Sequence, residues 1–185
     1  MAKIDFHDTK LEGLKIITPF YSEDTRGYFL KAYEKQIFKD AGIETDIAET
    51  FESFSVHGVV RGMHFQKGDS AQAKLIRVLS GEVYDVCIDI RANSPTFGQW
   101  VGEYLSSENH KAFFVPKGFA HGFLVTGEKA LMSYTASGAY SQSGESGIYY
   151  LDPDINIEWP VANLQIIQSE RDAALPSFKE YCSSL

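Results

Sequence analysis

The chain is poor in cysteine. Cys87 and Cys182 are the only two in 185 residues, too few for a disulfide framework and wrongly spaced for a zinc-thiolate site. A reducing cytoplasm fits that scarcity. Long apolar runs are also lacking. Lys3, Asp5, Asp8 and Lys10 break up the N-terminal stretch, so no signal peptide is expected, and no run reaches transmembrane length. Positive charge is in deficit: 17 Lys and Arg stand against 25 Asp and Glu, for a formal net charge of −8. That balance argues against nucleic acid or anionic membrane as a partner. It leaves room for a small anion held by a few converging cations. Internal repeats, low-complexity segments and linkers are absent, so a single domain over 1–185 is expected.

What is present is a core. Hydrophobic residues make up 44% of the chain and aromatics 14%, which excludes a disordered or fibrous class. Helical spacing is confined to Glu34–Ala41, with Ile37, Phe38 and Ala41 on one face and Gly42 as the stop. From Val59 onward the signal is β, in short branched and aromatic segments punctuated by glycine. Ala73–Leu79 and Glu82–Ile90 read as two strands joined by a turn at Ser80-Gly81. Gln99–Leu105, Ala112–Val115, Gly122–Thr126, Ala130–Ala136 and Gly147–Leu151 read as further strands, and Pro116–Gly118 as a turn. Many short strands at such spacing predict a mainly β sandwich or jelly-roll barrel with little helix.

Strand alternation then makes a specific prediction. Lys74 shares a face with Ile76 and Val78, Tyr134 with Met132, and His64 with Gln66. Polar side chains pointing into a barrel are costly unless they serve a ligand, so a pocket in the barrel mouth is expected.

From RGMHFQ (Arg61–Gln66) onward the sequence resembles a known family. The likeness continues through AQAKLIRVLSGEVYDVCIDIR, SPTFGQW, LSSEN, VPKGFAHGFLV, DPDINIEWP and SERDAALP, and DTRGYF (Asp24–Phe29) extends it toward the N-terminus. These motifs, in this order, are similar to those of the dTDP-4-dehydrorhamnose 3,5-epimerase family of deoxysugar biosynthesis. The resemblance implies a cupin-like double-stranded jelly-roll barrel with short peripheral helices. It also implies a homodimer with exchanged N-terminal strands, and a nucleotide-sugar substrate. Neither metal nor redox cofactor is implied.

Such chemistry needs a base on one face of a carbon beside a ketone, an acid on the other, and donors near the enolate oxygen. The resemblance places His64 as the base, since neutral imidazole titrates near physiological pH. It makes Asp172 the carboxylate that fixes the tautomer, Tyr134 the opposing acid, and Lys74 and His121 the groups beside the enolate. Alternation alone suggests Asp85 as the partner that orients His121. Arg61, Arg26 and Arg171 are candidates for the diphosphate, where guanidinium offers paired donors. Tyr140 and Phe29 are candidates for stacking on the base, and Gln66 faces the same pocket as His64.

The sequence departs from the family pattern at the substrate contacts. Lys31 stands where the family carries a glutamate, and Glu49 and Phe51 stand in its Gln-x-Asn. Residues 135–140 lack the usual lysine after the tyrosine and the usual doubled tyrosine. A lysine donates and cannot accept, so Lys31 keeps open a base other than thymine, such as cytosine. The alternatives are therefore an epimerase of a single centre, C3 or C5, on a substrate such as a CDP-linked 4-keto-3,6-dideoxyhexose, a sugar-nucleotide ketoisomerase, and a non-catalytic binding barrel. A metal-dependent cupin fits poorly, because His64 is followed by Phe65 and Gln66 instead of a second nearby histidine and a glutamate.

Overall fold

A computed structural model describes residues 3–43, 46–162 and 164–185. The strands among them, in chain order, are β1 (Asp5–Asp8), β2 (Lys15–Thr18), β3 (Phe20–Asp24), β4 (Gly27–Lys31), β5 (Glu49–Val56), β6 (Val60–Gln66), β7 (Lys74–Asp89), β8 (Trp100–Ser106), β9 (Ala112–Val115), β10 (Phe119–Ala136) and β11 (Glu145–Gly147). The helices are α1 (Lys35–Asp40), α2 (Glu170–Ala173) and α3 (Phe178–Cys182). All are short, and none of the described helices is long and apolar enough to cross a membrane.

Two long strands organise the barrel. The first half of β7 pairs with β9 and its second half with β8. The second half of β10 pairs with β5 and its first half with β6, while β10 runs beside β7 along both halves. Pairing therefore runs β1-β2-β9-β7-β10-β5 at one end and β8-β7-β10-β6-β11 at the other. Two antiparallel sheets that share bent strands form the expected jelly roll.

The bends correct the sequence reading. Ser80-Gly81 is no hairpin turn. β7 continues through it, and residues 122–126 and 130–136 likewise belong to the one strand β10. Gly81 has φ +85°, and a Cβ there would lie 1.7 Å from the Lys129 carbonyl oxygen. A glycine that permits a sharp bend has the same sequence signature as one that ends a strand. The expected strand over Gly147–Leu151 is displaced to Glu145–Gly147. Residues 149–152 instead form a turn closed by the Asp152 N–H on the Tyr149 carbonyl, and the Asp152 carboxylate holds the next turn and α3 by accepting from the Asp154, Ile155 and Phe178 N–H groups. The DPDINIEWP motif is in this respect structural.

Apolar side chains fill the space between the sheets, among them Ile76, Val78, Val83, Phe113, Phe123 and Met132. A second cluster around Met63, Ile88, Trp159 and Tyr181 closes the other side under the C-terminal segment. Helix α1 buries Phe38 against Phe6, with ring centroids 5.1 Å apart. The β3–β4 hairpin stands apart as its own two-stranded sheet. Its Tyr28 and Phe29 are about three-fifths exposed, at 61% and 60%.

Candidate active site

Strand β6 places His64 on the barrel interior, directly opposite His121 of β10. The two strands approach closely there. A Cβ on Gly62 would lie 2.5 Å from the Gly122 Cα, and one on Gly122 would lie 2.6 Å from the Met63 Sδ. Only glycine at both positions lets the two histidines sit opposite each other on strands this close.

Each histidine is paired with a carboxylate. His64 Nε2 lies 2.9 Å from Asp172 Oδ1, and the Gly62 N–H donates to Asp172 Oδ2 at 3.2 Å. Asp172 comes from α2, where the Ser169 side chain caps the helix by accepting from the Asp172 N–H. Burial alone would push the Asp172 carboxyl up. The hydrogen bond and charge of His64, with the Gly62 N–H and the Arg171 charge, outweigh it and hold the carboxyl at about 2. His121 Nε2 lies 2.9 Å and 3.0 Å from the two oxygens of the fully buried Asp85. Burial raises the Asp85 carboxyl and the His121 contact opposes it.

His64 opens on a cavity of about 400 Å³, whose wall also carries Glu49, Phe51, Gln66, Lys74 and Tyr140. Burial lowers the Lys74 ammonium, against the charges of Glu49 and Glu145. Tyr134 packs just behind this wall. Its ring is buried and stacked on Phe51, and burial drives its hydroxyl well above the ordinary tyrosine range.

A jelly roll with this polar interior has clear relatives. The family model for dTDP-4-dehydrorhamnose 3,5-epimerase matches residues 8–180. The chain belongs to that family. It is 44% identical over 173 residues to the dTDP-4-dehydrorhamnose 3,5-epimerase of Methanothermobacter thermautotrophicus, covering 93% of each chain. It is 37% identical to a dTDP-4-dehydrorhamnose 3-epimerase of Streptomyces niveus, covering 89% of this chain and 80% of that one. The solved dTDP-6-deoxy-D-glucose-3,5-epimerase of Legionella pneumophila, in complex with dTDP-4-keto-L-rhamnose, superposes with a TM-score of 0.92 at 41% identity, covering 96% of this chain and 94% of that chain.

In this epimerase the remaining candidates fall in four places. Gln66, Glu49 and Tyr140 join the cavity. Glu49 accepts from Gln72 Nε2 (3.3 Å) and from the Tyr140 N–H (3.2 Å). Arg61 lies at the β5 side, donating from Nε to Ser55 Oγ at 3.0 Å. Arg171 stands beside the His64–Asp172 pair, with Nη2 3.2 Å from His64 Nε2 and Nη1 donating to Glu145 Oε1 at 2.8 Å. Arg26, Phe29 and Lys31 are not brought to the cavity within one chain. All three lie on the β3–β4 hairpin, where Arg26 pairs with Asp24 and Lys31 with Glu34.

Two cavity residues carry no signal that the sequence reading used. Glu145 receives both the Tyr140 O–H and Arg171, and Gln72 holds Glu49. Each sits in a short irregular or edge segment, where alternation cannot say which way a side chain points.

Proposed function

We propose that the protein epimerises a dTDP-linked 4-keto-6-deoxyhexose without a cofactor, at carbons flanking the C4 ketone. The observation that carries this reading is the His64–Asp172 pair opening on the same cavity as Lys74.

With its Nε2–H donated to Asp172, His64 has the Nδ1 lone pair left to take the proton on carbon. The C–H electrons pass to the ketone oxygen as an enolate. Lys74 and the His121–Asp85 pair supply positive charge and a donor for that oxygen. Tyr134 then gives its O–H proton to the carbon from the opposite face, and the enolate electrons return. The imidazolium and phenolate left behind are reset by exchange with solvent. Arg61, with Arg26 from a partner subunit, holds the diphosphate, and Tyr140 and Phe29 flank the base.

A homodimer completes this site. The hairpin, a sheet of its own with exposed Tyr28 and Phe29, and the outer face of β5 with exposed Phe54 and Val56, support exchange of N-terminal strands between two copies. Arg26, Phe29 and Lys31 would then serve the partner's cavity. A cytoplasmic location accords with the nucleotide-sugar substrate and the unpaired cysteines.

Proton NMR in D2O tests the reading with dTDP-4-keto-6-deoxyglucose beside the CDP-linked 4-keto sugar. Deuterium entering both C3 and C5 of the dTDP sugar is the expected result. Entry at one carbon only would move the protein toward the single-centre relatives. No entry in either sugar would overturn the proposal.

A further inference from the structure

Tyr134 has no strong hydrogen bond to hold it. Its hydroxyl stands 3.5 Å from Ser53 Oγ and 3.4 Å from Met132 Sδ, both long or weak contacts. What fixes the ring is aromatic. Phe51 lies directly opposite it on the β5–β10 ladder. The two rings stack at 4.7 Å between centroids and 10° between planes. His121 meets the Tyr134 ring edge-on at 6.2 Å.

The two stacked rings differ in exposure. Tyr134 is 6% exposed, while Phe51 is 42% exposed and forms part of the cavity wall. Phe51 therefore covers one face of the buried phenol ring from the cavity side. A phenyl ring offers no polar group to bind there, and its exposed surface is costly unless it serves a purpose.

We propose that Phe51 is a positioning residue for Tyr134, holding the phenol in place, and so sets how often a deprotonated sugar is inverted instead of re-protonated on its original face. This rests on Tyr134 being the proton donor. The charged groups facing the phenol are Arg61 from β6 and Asp85 from β7, beside the His121 ring on β10 itself, and β5 contributes Ser53 and Phe51. Burial keeps the hydroxyl protonated, Asp85 acts in the same sense and Arg61 against it.

The partition is measurable because the two outcomes use different groups. His64 alone, once deuterated by solvent, returns deuterium to the original face. Inversion also needs Tyr134. In D2O, NMR reads exchange and inversion from the same sample. Phe51→Leu is expected to lower the ratio of inversion to exchange about tenfold, a fraction of what a positioned acid contributes. Phe51→Tyr keeps the stack and is expected to restore the wild-type ratio. An unchanged ratio in Phe51→Leu, or exchange and inversion falling together, would overturn the proposal. Phe51→Met reads the same way should the leucine variant fold poorly. Tyr134→Phe separates this from the underlying reading. Wild-type inversion in that variant would remove Tyr134 as the acid, whereas lost inversion with an unchanged Phe51→Leu ratio would remove Phe51 alone.

Discussion

His64 and Asp172 lie 108 positions apart in sequence and 2.9 Å apart in space. The carboxylate is held from both sides, by the imidazole on Oδ1 and the Gly62 N–H on Oδ2. Arg171 approaches the same His64 nitrogen, yet one nitrogen cannot donate to Asp172 and accept from Arg171 together. The shorter Asp172 contact and the anchoring of Arg171 on Glu145 favour donation to Asp172. Asp172→Asn is therefore expected to leave the fold intact and to cut turnover by roughly 10²–10⁴, the range for a mispositioned base. His64→Ala is expected to abolish both exchange and inversion. NMR in D2O reads both.

Lys74 supplies a pH signature. Burial lowers its ammonium below the ordinary lysine value, so its charge is lost at a lower pH than that of a surface lysine. If that charge steadies the enolate, kcat falls on the alkaline side as Lys74 deprotonates. Lys74→Arg, permanently charged, is expected to move the alkaline limb upward, and Lys74→Gln to depress kcat at every pH. Initial rates between pH 6 and about 10 decide it.

Acid stability has a separate source. Burial alone would raise the Asp89 carboxyl, but the Arg91 side chain, Ser94, Thr96 and the Arg91 N–H outweigh it and hold it at about 2. Its folded value lies below its unfolded value of 3.8. The stabilisation is present above that unfolded value and is lost as pH falls through the folded one. The linkage is worth on the order of 2 kcal/mol at neutral pH. Asp89→Asn is expected to lower the denaturation midpoint at pH 7 and to flatten its fall between pH 4 and about 2. Sugar exchange by the folded variant stays at the wild-type rate.

Lys31 tests the nucleotide. It sits on the hairpin, paired with Glu34 at 2.7 Å, where exchange between subunits would bring it to the partner's base slot. Lys31→Glu replaces a donor with an acceptor for the thymine N–H. The ratio of kcat/KM for the dTDP sugar over the CDP sugar is expected to rise about tenfold, one hydrogen bond's worth. An unchanged ratio would remove Lys31 from specificity.

Much of this site was legible from alternation. Lys74 with Ile76, Tyr134 with Met132, and His64 with Gln66 share faces in the structure as they do by count, and Asp85 meets His121 as alternation suggested. The helix read over Glu34–Ala41 is α1 within a residue at each end. The bend at Gly81 was not legible, because a positive-φ glycine looks alike in a turn and in a bent strand. The roles of Glu145 and Gln72 were equally hidden, since neither sits in a segment long enough to show a period.

The bent strands have one more consequence. β7 carries Lys74 near one end and Asp85 near the other, and β10 carries His121 and Tyr134 in the same way. Sliding either strand by one residue would turn both of its polar groups out of the barrel together. Such a slip cannot remove one polar group of a strand and keep the other. Heat should therefore yield no half-working species, with the inactivation curve lying on top of the unfolding curve.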